Sequence, residues 1–277
     1  MKKPLQIIIL TRFNLNHDTE QCSKHLDRQW LERRFDIFEQ YCLPSVAAQS
    51  DEDFEWIVMF DHKTPKEFIE RAQHGSTLCK QLRIKLLPFY KNYNDAYAAI
   101  GREYISGAEQ LVSIRLDNDD ALNRHFVELI RHNTPPPNNK TIILTFPHGL
   151  QWFTESHALM HVRSVSNHYL TFVEHTDDNV ITALGCDHSL AKRSFALHKI
   201  AVHKPMWLEV VHGLNIANNI SIFMLPRPAI QAKCLTDFAI SVDINVGFIR
   251  NVRFLIPNIL SNCTTLARHF IKRLLRA

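Results

Sequence analysis

The sequence predicts an α/β fold in which a parallel-rich sheet carries helices on both faces. Three observations predict it. The first 146 residues alternate short apolar runs with amphipathic stretches, the order that builds βαβ units. The chain has 277 residues, 45% of them hydrophobic, with 17 phenylalanines, enough for one large domain or a domain with appendages. Polar groups also recur where apolar runs end: Thr11-Arg12, Asp61 and Asp117 to Asp120. In such folds ligands bind outside the carboxyl ends of the strands.

The elements follow in order. Pro4 to Leu10 is an apolar strand. Trp30 to Gln49 is an amphipathic helix, with Leu31, Phe35, Phe38, Tyr41-Cys42 and Val46 at helical spacing. Pro44 should kink it or begin a second helix. Phe54 to Phe60 is the second strand, ending in Asp61. Thr64-Pro65-Lys66-Glu67 reads as a helix start, with Thr64 as N-cap and Pro65 at the first helical position. Leu82 to Leu87 is a strand, Tyr93 to Ile105 a helix and Leu111 to Leu116 the fourth strand. A helix over Arg124 to His132 and a strand over Thr141 to Phe146 complete this half. Residues 147 to 215 are less regular. Phe195 to Ala201 reads as a turn or short helix, and Met206 to Val211 as an apolar stretch closed by His212-Gly213. The tail is apolar and then basic. Leu260, Leu266, Phe270-Ile271 and Leu274-Leu275 make one helix face, and Arg268, Lys272, Arg273 and Arg276 lie mostly outside it.

The fourth strand carries the strongest chemical signal. Leu111-Val112-Ser113-Ile114-Arg115-Leu116 runs directly into Asp117-Asn118-Asp119-Asp120. Hard cations take oxygen ligands, and Mg²⁺ is commonly held by one or two carboxylates plus substrate phosphates. An Asp-x-Asp at a strand end therefore suits an enzyme that handles a nucleoside diphosphate. A plain acidic turn is the competing reading.

Composition excludes several classes. The net charge is only +4 and no basic stripe is interleaved with aromatics, which argues against nucleic acid. No G-x-G-x-x-G and no G-x-x-x-x-G-K-[ST] occurs among the seven glycines. The six cysteines form no C-x-x-C pair, as expected of reduced thiols in a cytoplasmic protein. His157 and His161 have the spacing of a zinc pair, but no Glu follows the first. The N-terminal apolar run is too short for a signal-peptide core, and no segment is long enough to span a bilayer.

Thr11-Arg12-Phe13-Asn14, Trp30-Leu31-x-x-Arg34-x-x-x-Phe38 and Cys42-Leu43-Pro44-Ser45-Val46-x-x-Gln49 resemble the opening of the bacterial "putative rhamnosyltransferase" family. The likeness continues through Phe54-x-Trp56-x-Val58 and Asp61. It extends to Arg115-Leu116-Asp117-Asn118-Asp119-Asp120-Ala121-Leu122 and to Trp207-Leu208-x-Val210-Val211-His212-Gly213-x-Asn215. Asn167-His168-Tyr169 through Glu174 matches the family's corresponding segment only in part. The resemblance implies a GT-A-like, Rossmann-type sheet that binds a nucleotide sugar (a dTDP-, UDP- or GDP-sugar), with Mn²⁺ or Mg²⁺ as cofactor. It implies a GT-A-like domain over 1–220, with 1–146 as the nucleotide-sugar half and 147–220 as the acceptor-side half, followed by an extension over 221–277.

On this reading Asp119 is the principal metal carboxylate. Asp117 contacts the metal through water or holds the ribose, and Asp120 assists or caps the next helix. The resemblance places His212 as the third metal ligand. Thr11, Arg12, Asp61 and Arg115 would hold the nucleotide, the arginines offsetting diphosphate charge. A general base for the acceptor hydroxyl is expected at Glu174, following an apolar run where burial would raise its pKa, or at Asp187. The acceptor would be a glycan or lipid-linked glycan of the bacterial surface. The C-terminal helix either docks on the domain or lies on the anionic face of the inner membrane. Two other classes stay open: a nucleotidyl or phosphoryl transferase using the same acids, and a non-catalytic sugar-binding module.

Overall fold

The computed structural model describes residues 5–16, 23–105, 107–137, 140–176, 180–213, 224, 226–229, 232–240 and 247–259. The strands are β1 (Leu5–Arg12), β2 (Glu55–Asp61), β3 (Leu82–Leu87), β4 (Gln110–Arg115), β5 (Ala121–Leu122) and β6 (Ile142–Thr145). They continue with β7 (His148–Phe153), β8 (Ala158–Arg163), β9 (Thr171–His175), β10 (Ala196–Lys199), β11 (Trp207–Val211) and β12 (Arg227–Pro228). The helices are α1 (Arg28–Ile37), α2 (Leu43–Ala47), α3 (Lys66–His74), α4 (Asn94–Tyr104), α5 (Phe126–Asn133) and α6 (His188–Ser194), with a further helix over 248–259.

Seven strands form the main sheet in the order β10-β6-β9-β4-β1-β2-β3. All pairs are parallel except those of β9, which runs antiparallel to β4 and β6. The second sheet has the order β12-β8-β7-β11-β5. This is the parallel-rich α/β sheet that the strand–helix alternation predicts.

β1 is apolar along nearly its whole length because both of its faces are buried. Ile7, Ile9 and Phe13 point into the core shared with Leu31, Phe35, Phe38, Phe68 and Phe126 from the helices. Ile8 and Leu10 point the other way, against Tyr93, Tyr97 and Ile100 of α4. α1 and α2 form one continuous run interrupted by a π turn at Phe38–Cys42. Pro44 explains the interruption: it has no N–H to donate, and its ring crowds the carbonyl one turn earlier.

The boundaries depart from expectation in a few places. Thr64 does not cap α3. Its hydroxyl donates to the Asp61 carbonyl at 2.6 Å, and the helix starts after Pro65. Phe195 to Ala201 contains a strand, β10, rather than a turn or short helix. Its partner β6 supplies the ladder bonds, so sheet pairing decides the conformation of this mostly exposed stretch. Residues 147–215 are more regular than their sequence suggests, since β7, β8, β9 and β11 fill much of the stretch.

The described part of the region beyond 220 packs onto the second sheet. Ala229, Leu235, Phe238 and Ile240 join Tyr41, Leu150, Trp152 and Leu208 in one apolar cluster. The buried Asn251 side chain accepts from the Leu159 N–H and donates to the Ala229 carbonyl. The expected basic helix face from Leu260 to Leu275 lies outside the described residues. Among those residues no helix is long and apolar enough to cross a membrane.

Gly149 is required by close approach. A Cβ there would lie 2.1–2.3 Å from three atoms of the buried Trp207 indole. Gly149→Ala should therefore destabilise by about 1–3 kcal/mol. Gly75→Ala, whose Cβ would sit in ordinary contact 3.5 Å from Leu43, should be near neutral. Urea unfolding midpoints of the two variants check the contrast.

Candidate metal and nucleotide site

β1, β2 and β4 are parallel, so their carboxyl ends share one edge of the sheet. Arg12, Asp61 and the loop 116–120 lie there. Side chains alternate along a strand, and this separates Thr11 from Arg12. Thr11 faces the phenylalanine-rich core, is fully buried, and its hydroxyl accepts from the Trp56 indole N–H at 2.9 Å. It is therefore a core residue and not a nucleotide contact, a correction to the sequence expectation. Arg12, on the opposite face, donates to Asp117 at 3.4 Å.

The acidic loop is stitched to its surroundings. Asn118 donates to the Phe13 carbonyl at 2.8 Å and accepts from Arg34 of α1. The Asp120 N–H closes a turn onto the Asp117 carbonyl at 3.2 Å. That turn sends the three carboxylates in different directions. Asp119 accepts from Arg34 at 3.2 Å and lies 3.0 Å from His212 Nε2. Asp120 accepts from the Val210 N–H of β11 at 3.0 Å and lies 2.9 Å from His168 Nε2. Asp117 accepts from Arg115 at 2.8 Å as well as from Arg12.

Asp117, Asp120 and His168 each offer a ligand atom, and the three atoms lie within 4.8 Å of one another. Two carboxylates and an imidazole suit Mn²⁺ and tolerate Mg²⁺, so the donor chemistry fits a divalent cation. The set differs from the expected Asp117, Asp119 and His212. Asp119 and His212 pair with each other, and Arg34 holds that pair to α1. Asp120, expected to assist or to cap the next helix, belongs to the cluster, whereas His168 and Arg34 are not among the expected site residues. A signal for both was present: His168 lies in the segment that departs from the family pattern, and Arg34 in one of the matching motifs.

The electrostatics follow from this packing. Burial would raise the Asp117 carboxyl, but Arg115 and Arg12 outweigh it and hold it far below the usual range. Asp119 is lowered in the same way, with His212 and Arg34 overcoming burial. Asp120 goes the other way: burial, with the neighbouring Asp119 charge, pushes it up to about 7. Burial would lower His168, yet the Asp120 carboxylate beside it raises it to about 9. Three guanidiniums and the two histidines thus meet three carboxylates, and bringing in a divalent cation would leave the pocket positive.

Asp61 is buried at the end of β2. It lies 3.0 Å from His25 Nε2, and its Oδ1 accepts from the Lys63 N–H at 2.7 Å. Asn14 braces the same corner, its side-chain oxygen accepting from the Asp61 N–H.

Glu174, the first choice as general base, is not brought to this cluster. Glu174 lies opposite Leu111 on β4, six residues before Asp117, or roughly 20 Å along the strand. Its carboxylate accepts from the N–H groups of Ile181 and Thr182 at 2.7 and 3.0 Å. Glu174 is therefore a buried brace for the chain after β9, which corrects its expected role. Asp187 is exposed at the start of α6, where its carbonyl accepts from Leu190 and Ala191.

Fold and site together define an α/β protein whose parallel-rich sheet gathers two carboxylates and an imidazole at the end of β4. Residues 6–222 match the family described as "Putative rhamnosyl transferase", and the chain belongs to that family. No curated protein matches it in sequence. Among solved structures it is similar to an inositol-1-phosphate CTP transferase from T. maritima. That match has 9% identity and a TM-score of 0.41, covering 87% of this chain and 99% of the other. It is also similar to a chain described as a "Putative Glucose-1-Phosphate Thymidylyltransferase" from Bacillus anthracis, at 11% identity and a TM-score of 0.36, covering 73% and 88%.

Without metal, His168 should titrate near 9, and Asp120→Asn should return it to its ordinary value or below, since burial persists. Because its folded value lies above the unfolded one, His168 contributes stability that is lost as pH rises through about 9, whereas Asp120, raised to about 7, makes stability fall as pH rises from about 4 to 7. Histidine-selective NMR titration of the two proteins checks the shift.

Proposed function

We propose that this chain is a metal-dependent glycosyltransferase. On this reading it moves a sugar, rhamnose by family, from a nucleoside diphosphate to a glycan of the bacterial surface. The observation that supports it most is the convergence of Asp117, Asp120 and His168 at the end of β4, inside a ring of arginines. Asp117, Asp120 and His168 would hold Mn²⁺ or Mg²⁺. The bound ion would supply Lewis-acid stabilisation of the departing diphosphate.

The remaining work falls to the chain's own groups. Arg12 and Arg115 hold Asp117 ionised, and their guanidinium forks would offset the charge of the diphosphate. Leaving-group charge would grow against these fixed cations, which need little reorganisation as the bond breaks. Asp61, with His25, closes the far side of the edge and offers hydrogen bonds to a base or ribose. Arg34 and His212 set Asp119, and through Asn118 the same arginine fixes the height of the loop. A nucleotidyl or phosphoryl transferase would use the same acids, but would release pyrophosphate or phosphate instead of a nucleoside diphosphate.

The test is a panel of dTDP-, UDP- and GDP-sugars with Mn²⁺, reading the nucleotide released. Asp117→Asn should lower metal-dependent turnover by roughly 10²–10³-fold and also lower the melting temperature, because the amide gives up the charge that Arg12 and Arg115 hold. Asp119→Ala should also lower the melting temperature, because it strips Arg34 and His212 of their shared partner. Release that is equally fast in EDTA would overturn the reading.

A further inference from the structure

The second sheet carries a basic surface that the donor site does not use. His148 lies directly opposite Arg163 across β7 and β8, and His161 directly opposite Arg227 across β8 and β12. Arg163 and His161 are two residues apart on β8, so all four side chains share one face. The His203 ring lies 5.9 Å from the His148 ring, and Lys204 follows it. Arg163, His203, Lys204 and Arg227 are exposed, while His148 and His161 are half-buried. Among the described residues none of the six makes an ion pair. The stretches 156–173 and 188–208, which supply four of them, contain no Asp or Glu.

Each imidazole thus faces a guanidinium across the ladder, and Arg163 and Arg227 carry the standing charge of the face. Burial lowers both histidines, and the charged groups facing them add to the effect: Arg163, His203 and Arg227 for His148, Arg227 and His148 for His161. An anion arriving at this face would meet both guanidiniums and would favour protonation of the two imidazoles.

The face is also close to the chemistry. β6 runs parallel to β4, since both are antiparallel to β9, so its carboxyl end lies on the edge that holds the aspartates. β7 begins two residues further on. Arg163 and His168 are five residues apart, at most about 18 Å of chain. Asn167 pins that connection to β6 by donating to Thr145 Oγ1 and to the Phe146 carbonyl.

We propose that this face binds an oxyanion, a phosphate or a carboxylate, carried by the acceptor, so that the transfer is to an anionic glycan. The proposal rests on the glycosyl-transfer reading. Arg163 and Arg227 present planar forks suited to either group. The donor diphosphate has its own cations at Arg12 and Arg115, so the second basic surface is left for the other substrate. A surface of one sign also draws an oppositely charged substrate toward the cleft.

Calorimetry of the full chain with three probes tests this: a neutral rhamnose trisaccharide, the same sugar with a terminal phosphate, and one ending in glucuronate. A charged probe should bind more tightly than the neutral one, with an affinity that falls as salt rises. The double variant Arg163→Gln/Arg227→Gln should lose roughly ten- to a hundredfold of the charged-probe affinity and keep the neutral-probe affinity. Arg163→Lys/Arg227→Lys should retain most of it. Preference for phosphate points to a phosphorylated acceptor and preference for glucuronate to an acidic sugar. Equal binding of all three probes, or charged-probe binding untouched in a folded Gln variant, overturns the proposal. Binding is read without turnover, so inactivity toward every nucleotide sugar with anion binding intact would count against the transferase reading alone.

Discussion

Three carboxylates occupy one strand end because cationic groups meet each of them. Unpaired, such charges could not stay ionised away from water; burial would drive protons onto them. Arg12 and Arg115 answer Asp117, Arg34 and His212 answer Asp119, and His168 answers Asp120. These partners come from β1, β4, α1, the segment after β11 and the segment before β9. Charge neutralisation at three carboxylates thus ties together elements from most of the described chain, and the geometry of the site is inseparable from the packing of the fold.

The same pairing divides labour among the aspartates. Asp119 is consumed by its partners and acts as a brace. Asp117 and Asp120 keep atoms turned toward each other and toward His168. Asp120 is the least comfortable of the three, raised to about 7 by burial and by its neighbour. A group in that condition gains most from an arriving cation, since the ion replaces a proton that the site would otherwise have to hold. The imidazole of His168 must give up its proton for the same reason.

Much of this was legible in the sequence. The apolar runs place β1 to β4 within a residue or two, and the carboxyl-end rule collects Arg12, Asp61 and the acidic loop on one edge. Period two alone would have separated Thr11 from Arg12. The division among the aspartates was not legible, because a turn with its own hydrogen bond, and not the strand period, aims residues 117 to 120. Glu174 misled for a different reason. A buried acid after an apolar run reads as a base with a raised pKa, yet two backbone N–H groups satisfy it. Those donors come from Ile181 and Thr182, seven and eight residues on, and no local pattern announces them. β10 was hidden likewise, since its strand character comes from β6.

The arrangement of charge across the molecule carries one further consequence. At the end of β4 the cations are all engaged with acids, so the net field there is weak until a divalent ion adds to it. On the β7–β8–β12 face Arg163 and Arg227 make no ion pair among the described residues, so their field is present in the resting protein. An anionic acceptor would therefore feel the protein whether or not a donor is bound, whereas a nucleoside diphosphate would be held fully only together with the metal. On the proposed reading, two substrates of the same sign would occupy neighbouring sites without competing, because each would be attracted by a different set of fixed charges, one of them completed by the ion.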